Sequence, residues 1–276
     1  MNPLISIILP THNGARTIGR AVASVSRQTY PAWELLIVND GSTDDTWAVI
    51  EELSHGDPRI VLISHADNRG IQKSLNQGVS RAKGKYMARI DDDDEWIDPS
   101  KLVAQAGYLE EHPDHVLLGT DAVVVDEKGT VLSANTMPKA DTAIRAKILS
   151  KNCFLHSTVV MRADAVKKSG GYSESAQTLH AEDYELWLRL GGMGKMANLS
   201  MHSTALTART GSLTASHRVA QAKHVLGAVL AHRREYPNFL QGYATGIARL
   251  IFFWLLPASP MQTSVWYSIQ RWYRSF

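Results

Sequence analysis

From its start the chain alternates short runs of consecutive apolar residues with longer stretches in which apolar residues recur every three or four positions. Leu4-Ile5-Ser6-Ile7-Ile8-Leu9 is a β-branched run stopped by Pro10 and reads as a central strand. Thr11-His12-Asn13-Gly14 turns the chain, and Thr17 to Gln28 carries Ile18, Val22 and Val25 at helical spacing. Trp33 to Val38 is a second strand, closed by Asn39-Asp40-Gly41-Ser42, which is turn chemistry leading into an N-cap. A helix over Asp44 to Leu53, a strand over Arg59 to Ser64 and a helix over Gln72 to Arg81 follow. Strands alternating with helices predict an α/β fold, with a mostly parallel central sheet flanked by helices and its ligand loops along one edge.

The next strand, Lys85 to Ile90, empties into Asp91-Asp92-Asp93-Asp94-Glu95. Carboxylates cannot stay buried with an apolar strand unless positive charge sits among them, so the acids are expected at its carboxyl end. In open α/β sheets that is where ligands bind, and hard cations such as Mg²⁺ or Mn²⁺ take carboxylate and phosphate oxygens. The alternative is a solvated acidic loop, with Asp94 and Glu95 in either case capping the following turn in water. Other phosphate and metal motifs are excluded. The spacing Gly14…Gly19 is followed by Arg20-Ala21 where a P-loop needs Lys and Ser or Thr, and no G-x-G-x-x-G follows the first strand. Trp96 stands where a calcium loop needs Gly.

Beyond Pro99 the pattern changes. Lys101 to Glu111 reads as a helix, and Val116 to Val125 as a strand turned at Asp126-Glu127-Lys128-Gly129 into Val131-Leu132. Asp141 to Leu149 is helical, Thr158 to Met161 a strand, and Glu182 to Leu190 a helix with Leu186, Trp187 and Leu190 on one face. The single cysteine, Cys153, excludes an internal disulfide and a cysteine-based zinc site, which fits a cytoplasmic protein. No signal peptide pattern opens the chain and no run reaches the roughly 18–20 apolar residues that cross a bilayer. Charge is uneven. From Ser216 onward seven Lys or Arg face one acid, Glu235, so this tail carries +6 and the remainder −4. A basic helix from Arg218 to Tyr236, an apolar stretch Ile247 to Leu256 and the pairs Trp266-Tyr267 and Trp272-Tyr273 suit either a membrane interface with anionic lipid or packing on protein.

Five stretches in order resemble the family 2 glycosyltransferases, nucleotide-sugar enzymes of the GT-A fold, over about residues 4–215. They are Ile7-Ile8-Leu9-Pro10-Thr11-His12-Asn13, Val38-Asn39-Asp40-Gly41-Ser42-Thr43-Asp44, Asn68-Arg69-Gly70, Ala88-Arg89-Ile90-Asp91-Asp92-Asp93-Asp94 and Ala181-Glu182-Asp183-Tyr184-Glu185-Leu186-Trp187. The resemblance implies that Pro10, Thr11, His12 and Asn13 line the nucleotide and that Asp40 accepts from the base, as a carboxylate can from a uracil N3–H. It places the divalent cation, Mn²⁺ or Mg²⁺, on Asp93 with Asp91 in support, and Asp92 near the ribose. Lys73 is a candidate phosphate contact. Asp183 would be the catalytic base, with Glu182 beside it on the acceptor side, and His156 is a further acceptor-side candidate. The family's usual Tyr-Arg-x-His is replaced by Leu206-Thr207-Ala208-Arg209 before Gly211-Ser212-Leu213-Thr214. Either Arg209 holds the diphosphate directly or the site lacks that ligand, with His202 and His217 as possible replacements.

The expected organisation is a nucleotide-sugar-binding half over residues 1–100, an acceptor-binding half of the same GT-A domain over 101–215, and a basic, aromatic-rich helical C-terminal extension over 216–276. The implied function is metal-dependent, inverting transfer of a sugar from a nucleotide donor, UDP-linked, to a saccharide or lipid-linked saccharide, with no nucleic-acid partner. The tail would offer peripheral membrane contact at the inner face of the cell membrane. The alternative is a binding protein on the same fold that no longer turns over.

Overall fold

The structure, a computed structural model, describes residues 2–208 and 217–255. The first half runs β1 (Ile5–Thr11), α1 (Ile18–Ser26), β2 (Trp33–Asp40), α2 (Thr46–Ser54), β3 (Ile60–His65), α3 (Ile71–Arg81) and β4 (Tyr86–Arg89). There follow β5 (Glu95–Trp96), α4 (Lys101–Glu111), β6 (His115–Val125), β7 (Val131–Asn135), α5 (Asp141–Lys147), β8 (Val160–Arg162) and α6 (Ala163–Lys168). The described chain continues through α7 (Glu182–Gly191), β9 (Lys195–Thr207), α8 (Arg218–Ala231) and α9 (Phe239–Leu255). The basic helix expected to reach Tyr236 ends at Ala231, and the apolar stretch from Ile247 lies inside a second helix that starts at Phe239.

One sheet carries the strands in the order β3-β2-β1-β4-β8-β6-β9-β5, with β7 on β6. β3, β2, β1 and β4 are all parallel, with Ile5 opposite both Trp33 and Tyr86. Their carboxyl ends therefore emerge side by side, which sets Thr11, Asp40 and the acids after Arg89 along one edge. The next strand reverses. β8 pairs antiparallel with β4, Ala88 opposite Val160, so the residues that precede β8 arrive at the edge that β4 leaves. β9 runs parallel to β6, and β5 closes antiparallel on its far end through Glu95 and Ala205. The sheet is thus parallel through its first four strands and mixed beyond them.

The core follows from the two-residue alternation of side chains on each strand. Ile8, Leu36 and Met87 face one side, against Leu75 and Val79 of α3 and Leu186, Trp187 and Leu190 of α7. Ile5, Ile7, Leu9, Leu35 and Ile37 face the other, against Val22 and Val25 of α1 and Leu102 and Ala106 of α4. β1 is buried along its whole length, as a strand covered by helices on both faces must be. α8 and its following turn dock on α7 through Val229 and Tyr236, whose hydroxyl donates to Leu188 O at 2.6 Å.

The fit of α3 against β1 depends on Gly78, where a Cβ would lie 2.5 Å from Ile8 Cγ2. Gly78→Ala is expected to lower stability by about 1–3 kcal/mol through overpacking, in spite of alanine's better helix propensity. Denaturant unfolding of the two proteins checks this, and an unchanged or higher midpoint would contradict the packing.

Candidate active site

The site lies where the parallel strands end. Asp40 closes β2, and its carboxylate is a structural hub. Oδ1 accepts from His65 Nδ1 at 2.8 Å and from the Arg69 amide at 2.9 Å, and Oδ2 accepts from the Gly70 amide at 2.8 Å. Burial raises its pKa, but His65 and the two amides outweigh that, and Asp40 stays ionised below the usual carboxylate range. Opposite it, Pro10 and Thr11 end β1, and the His12 ring meets Asp40 O at 2.8 Å. Asn13 sits at φ 56, a left-handed position that Asn tolerates, and its Oδ1 accepts from the Thr43 amide at 2.8 Å. The two turns are thereby stitched into one rim. Thr11 Oγ1 donates to Asp92 Oδ2 at 2.5 Å. A Cβ on Gly14 would collide with those same two oxygens, so the acid run can approach this rim only because residue 14 has no side chain.

The acids are held from below by one buried cation. Arg89, the last residue of β4, is 1% exposed and pairs with Asp91 Oδ1 at 2.5 Å. Burial raises the Asp91 pKa, but the adjacent guanidinium more than offsets it and keeps Asp91 ionised. Ser157, just before β8, accepts from the Asp91 amide at 2.9 Å, and its hydroxyl lies 2.5 Å from Asp94 Oδ2 and 3.1 Å from Asp91 Oδ2. Asp94 does not sit in water as the sequence suggested. It is 6% exposed and accepts from the Thr207 amide at 3.0 Å, and burial with the charges of Asp91 and Asp93 pushes its carboxyl well above the usual range. Glu95 likewise pairs with Arg27 at 2.6 Å. Asp93 is positioned through its carbonyl, which accepts from Arg20 Nη2 at 2.8 Å and Thr207 Oγ1 at 2.5 Å.

The third part comes from α7, far along the chain. Glu182 and Asp183 occupy its first turn, where the helix dipole favours negative charge. Asp183 Oδ2 accepts from Asn152 Nδ2 at 3.1 Å, and burial together with the nearby Asp91 charge raises its pKa. Burial and the Asp183 charge push Glu182 up to about 7, and its Oε2 is buried without a hydrogen bond among the described residues. His156 packs edge-on to Trp187 at 5.8 Å, and its Nε2 meets the Tyr172 hydroxyl at 2.9 Å. Burial and the Arg89 charge hold its pKa down at about 3, so the ring is neutral. Ser157, which bonds Asp91 and Asp94, adjoins His156, whose ring packs on Trp187 of α7, so the acid run lies near α7, and the Asp91 charge acts on Asp183.

Sequence-expected residues are therefore largely brought together, with three qualifications of place. Lys73 lies exposed in the first turn of α3, and His202 is exposed on β9. His217 stacks on His180 at 4.5 Å, and the His180 backbone in turn hydrogen-bonds Glu182. Arg209 and Gly211 to Thr214 lie outside the described residues. Sequence reading missed His65, Asn152, Ser157 and Thr207, small polar residues whose partners are 25–113 positions away. Oxygen donors dominate the site, which fits a hard cation, although the described residues hold no ready cluster of three or more acidic, His or Cys ligands. A cation here would need ligand oxygens from a bound phosphate as well.

This arrangement is a GT-A fold. The structure of Staphylococcus aureus TarS in complex with UDP-GlcNAc superposes with a TM-score of 0.72, covering 90% of this chain and 73% of that one at 21% identity. The profile of glycosyl transferase family 2 matches residues 6–170, and the chain belongs to that family. It is 36% identical over 189 residues to the putative glycosyltransferase EpsE of Bacillus subtilis, a match spanning 68% of this chain and 66% of EpsE. It is 29% identical over 215 residues to Escherichia coli WfaP, named a UDP-Glc:α-D-GlcNAc-diphosphoundecaprenol β-1,3-glucosyltransferase, spanning 77% of this chain and 80% of WfaP. The matched part covers about two thirds of EpsE's length.

The raised Glu182 pKa has a stability signature. The folded protein holds this proton up to about 7, whereas the unfolded chain releases it near 4.5. The cost of the buried charge is absent below the lower value, grows between the two and is complete above the upper one. Glu182→Gln is expected to stabilise the protein by about 1–3 kcal/mol at pH 8 and to change little at pH 4. Urea unfolding at both pH values checks this, and an equal effect at both would contradict it.

Proposed function

We propose that the chain is an inverting, metal-dependent glycosyltransferase that moves a sugar from a UDP-linked donor to a saccharide hydroxyl in polysaccharide or lipid-linked glycan synthesis. The observation that carries this is the placement of the acid run, which Asp92 ties to Thr11 on the Asp40 rim and Ser157 and His156 tie to α7, whose first turn holds Glu182 and Asp183. That is a donor-diphosphate site facing a candidate base. UDP is favoured by the fold shared with TarS, whose complex holds UDP-GlcNAc, and by the UDP-Glc named for WfaP. The lipid-linked acceptor is favoured by the diphosphoundecaprenol substrate in WfaP's name.

In this reading residues 1–100 bind the donor and 101–215 the acceptor. Pro10, Thr11, His12 and Asn13 line the nucleoside, and Asp40 takes the uracil N3–H on the acceptor capacity that its three observed donors leave. Asp92 reaches the ribose, and Lys73 and Arg209 are the cationic contacts to the diphosphate. Asp93 and Asp91 would hold Mn²⁺ or Mg²⁺, which when bound stabilises charge on the departing nucleoside diphosphate. Asp183 takes the proton of the acceptor hydroxyl as that oxygen bonds to the anomeric carbon and the bond to the diphosphate oxygen breaks. One displacement inverts the anomeric centre. Burial raises the basicity of Asp183, which suits it to the proton, and Asn152 fixes the orientation of its carboxylate.

Asp183→Asn is expected to lower turnover by roughly 10²–10⁴ while UDP binding with Mn²⁺ stays intact. Asp93→Ala is expected to abolish the difference in UDP affinity between Mn²⁺ and chelator in calorimetry. Near-normal turnover of Asp183→Asn would overturn the assignment of the base. Metal-independent UDP binding by the unaltered protein would overturn the metal site.

A further inference from the structure

The outer side of α9 is unlike any other surface of the described structure. Leu240, Tyr243, Ile251, Trp254 and Leu255 are 79%, 38%, 50%, 75% and 61% exposed, and Gln241, Ala244 and Ala248 are exposed among them. Their spacing of three and four places the large apolar side chains along one helical stripe, and no exposed position of the helix carries a charge. The inner side is spoken for by protein. Gly242 seats on Leu149, Gly246 on Leu226 of α8, and Phe253 is buried. The helix's one charged residue, Arg249, turns inward, its Nη2 3.4 Å from Ser150 O. A helix that is apolar on every side belongs either in a core or in lipid. At 17 residues α9 is not among helices long and apolar enough to cross a membrane, and no described helix is.

We propose that this outer face of α9 docks in the plane of an anionic lipid bilayer, its stripe sunk into the boundary between headgroups and acyl chains. Charge favours lipid over a second copy of the chain. Arg233 and Arg234 stand exposed in the turn before α9, and Lys147 and Lys151 stand exposed on the segment the helix rests against, which Asn238 also grips by donating to Ala146 O at 3.1 Å. A two-fold interface would bring this surface, four cations with Glu235 in the same turn, close to an equally basic copy of itself, whereas anionic headgroups attract it. The sequence beyond Leu255 adds Arg271 and Arg274 among Trp266, Tyr267, Trp272 and Tyr273, the residue types that gather at a bilayer interface. Placement gives the contact its use. The segment under α9 leads directly to Asn152, which donates to Asp183, so the docked face lies on the acceptor side of the site. Only that last step rests on the catalytic reading; the docking does not.

The test uses the whole chain, without donor or acceptor, in flotation with vesicles of phosphatidylcholine alone or mixed with phosphatidylglycerol. Binding is expected to the mixed vesicles, weakened by salt. The triple variant Leu240→Glu, Ile251→Glu, Trp254→Glu is expected to bind at least about tenfold less, with unchanged melting temperature and unchanged UDP affinity measured without vesicles. No binding of the unaltered protein, or equal binding of the variant, would overturn the proposal. So would a variant that loses a dimer seen by sedimentation, or one that melts at a lower temperature, since either would mean that protein covers the stripe. Loss of UDP binding by the unaltered protein would instead count against the catalytic reading alone.

Discussion

Crowded negative charge around one buried guanidinium is the constraint on which the rest of this structure turns. Asp91 to Asp94 follow Arg89, which is buried and pairs with Asp91, and the Asp91 charge reaches Asp183 at the start of α7, beside Glu182. Arg89 Nε and Nη1 make no hydrogen bond among the described residues, a costly state for a buried cation unless carboxylates surround it. Asp91 and Asp94 provide that field, and Arg89 in turn keeps Asp91 ionised. One cation cannot neutralise all the acids. Burial first, and neighbouring carboxylates after it, raise the proton affinity of Asp94, Glu182 and Asp183. A site with surplus negative charge and oxygen donors suits hard cations, and a carboxylate with raised affinity for a proton suits a base.

The sheet makes this crowding possible. Four parallel strands deliver the rim of Thr11 and Asp40 and the acids to one edge. The reversal at β8 then brings Ser157 back to the same edge from the opposite direction. β9 adds Thr207, whose amide and hydroxyl hold Asp94 and the Asp93 carbonyl. The acid run is thus fixed on three sides by backbone and hydroxyl groups that carry no charge. The positions of its carboxylates are set by the sheet rather than by their mutual repulsion.

The C-terminal helices extend the same logic of placement. α8 and Tyr236 brace the back of α7, and α9 lies along the segment that ends in Asn152. Both ends of α7 therefore sense the extension: its first turn through Asn152 and Asp183, its later turns through the Tyr236 hydroxyl on Leu188. Among the described residues the extension reaches Leu188 of α7 and Ala146 and Ser150 of the segment that leads to Asn152.

Local pattern alone determined a good deal. The alternation of apolar runs with helical spacing sets the order of strands and helices, because side-chain burial repeats every two residues on a strand and nearly four on a helix. The motifs Pro10-Thr11-His12-Asn13, Asn39-Asp40-Gly41-Ser42, Asp91-Asp92-Asp93 and Glu182-Asp183 mark strand and helix ends where polar residues cannot be absorbed by a core, so family and candidate site are legible in the chain. Only the tertiary structure decided that Asp94 is buried and not a solvated cap, that Asp40 is gripped by His65, and that Asn152, Ser157 and Thr207 position the acids. Those contacts join residues that are remote in sequence, and a serine or asparagine looks the same in a surface turn as beneath a carboxylate. The exposed side of α9 is the same case: by sequence Ile247 to Leu256 suits either a membrane interface or packing on protein, and only the packing of Gly242, Gly246 and Phe253 shows which side of the helix the protein had already used.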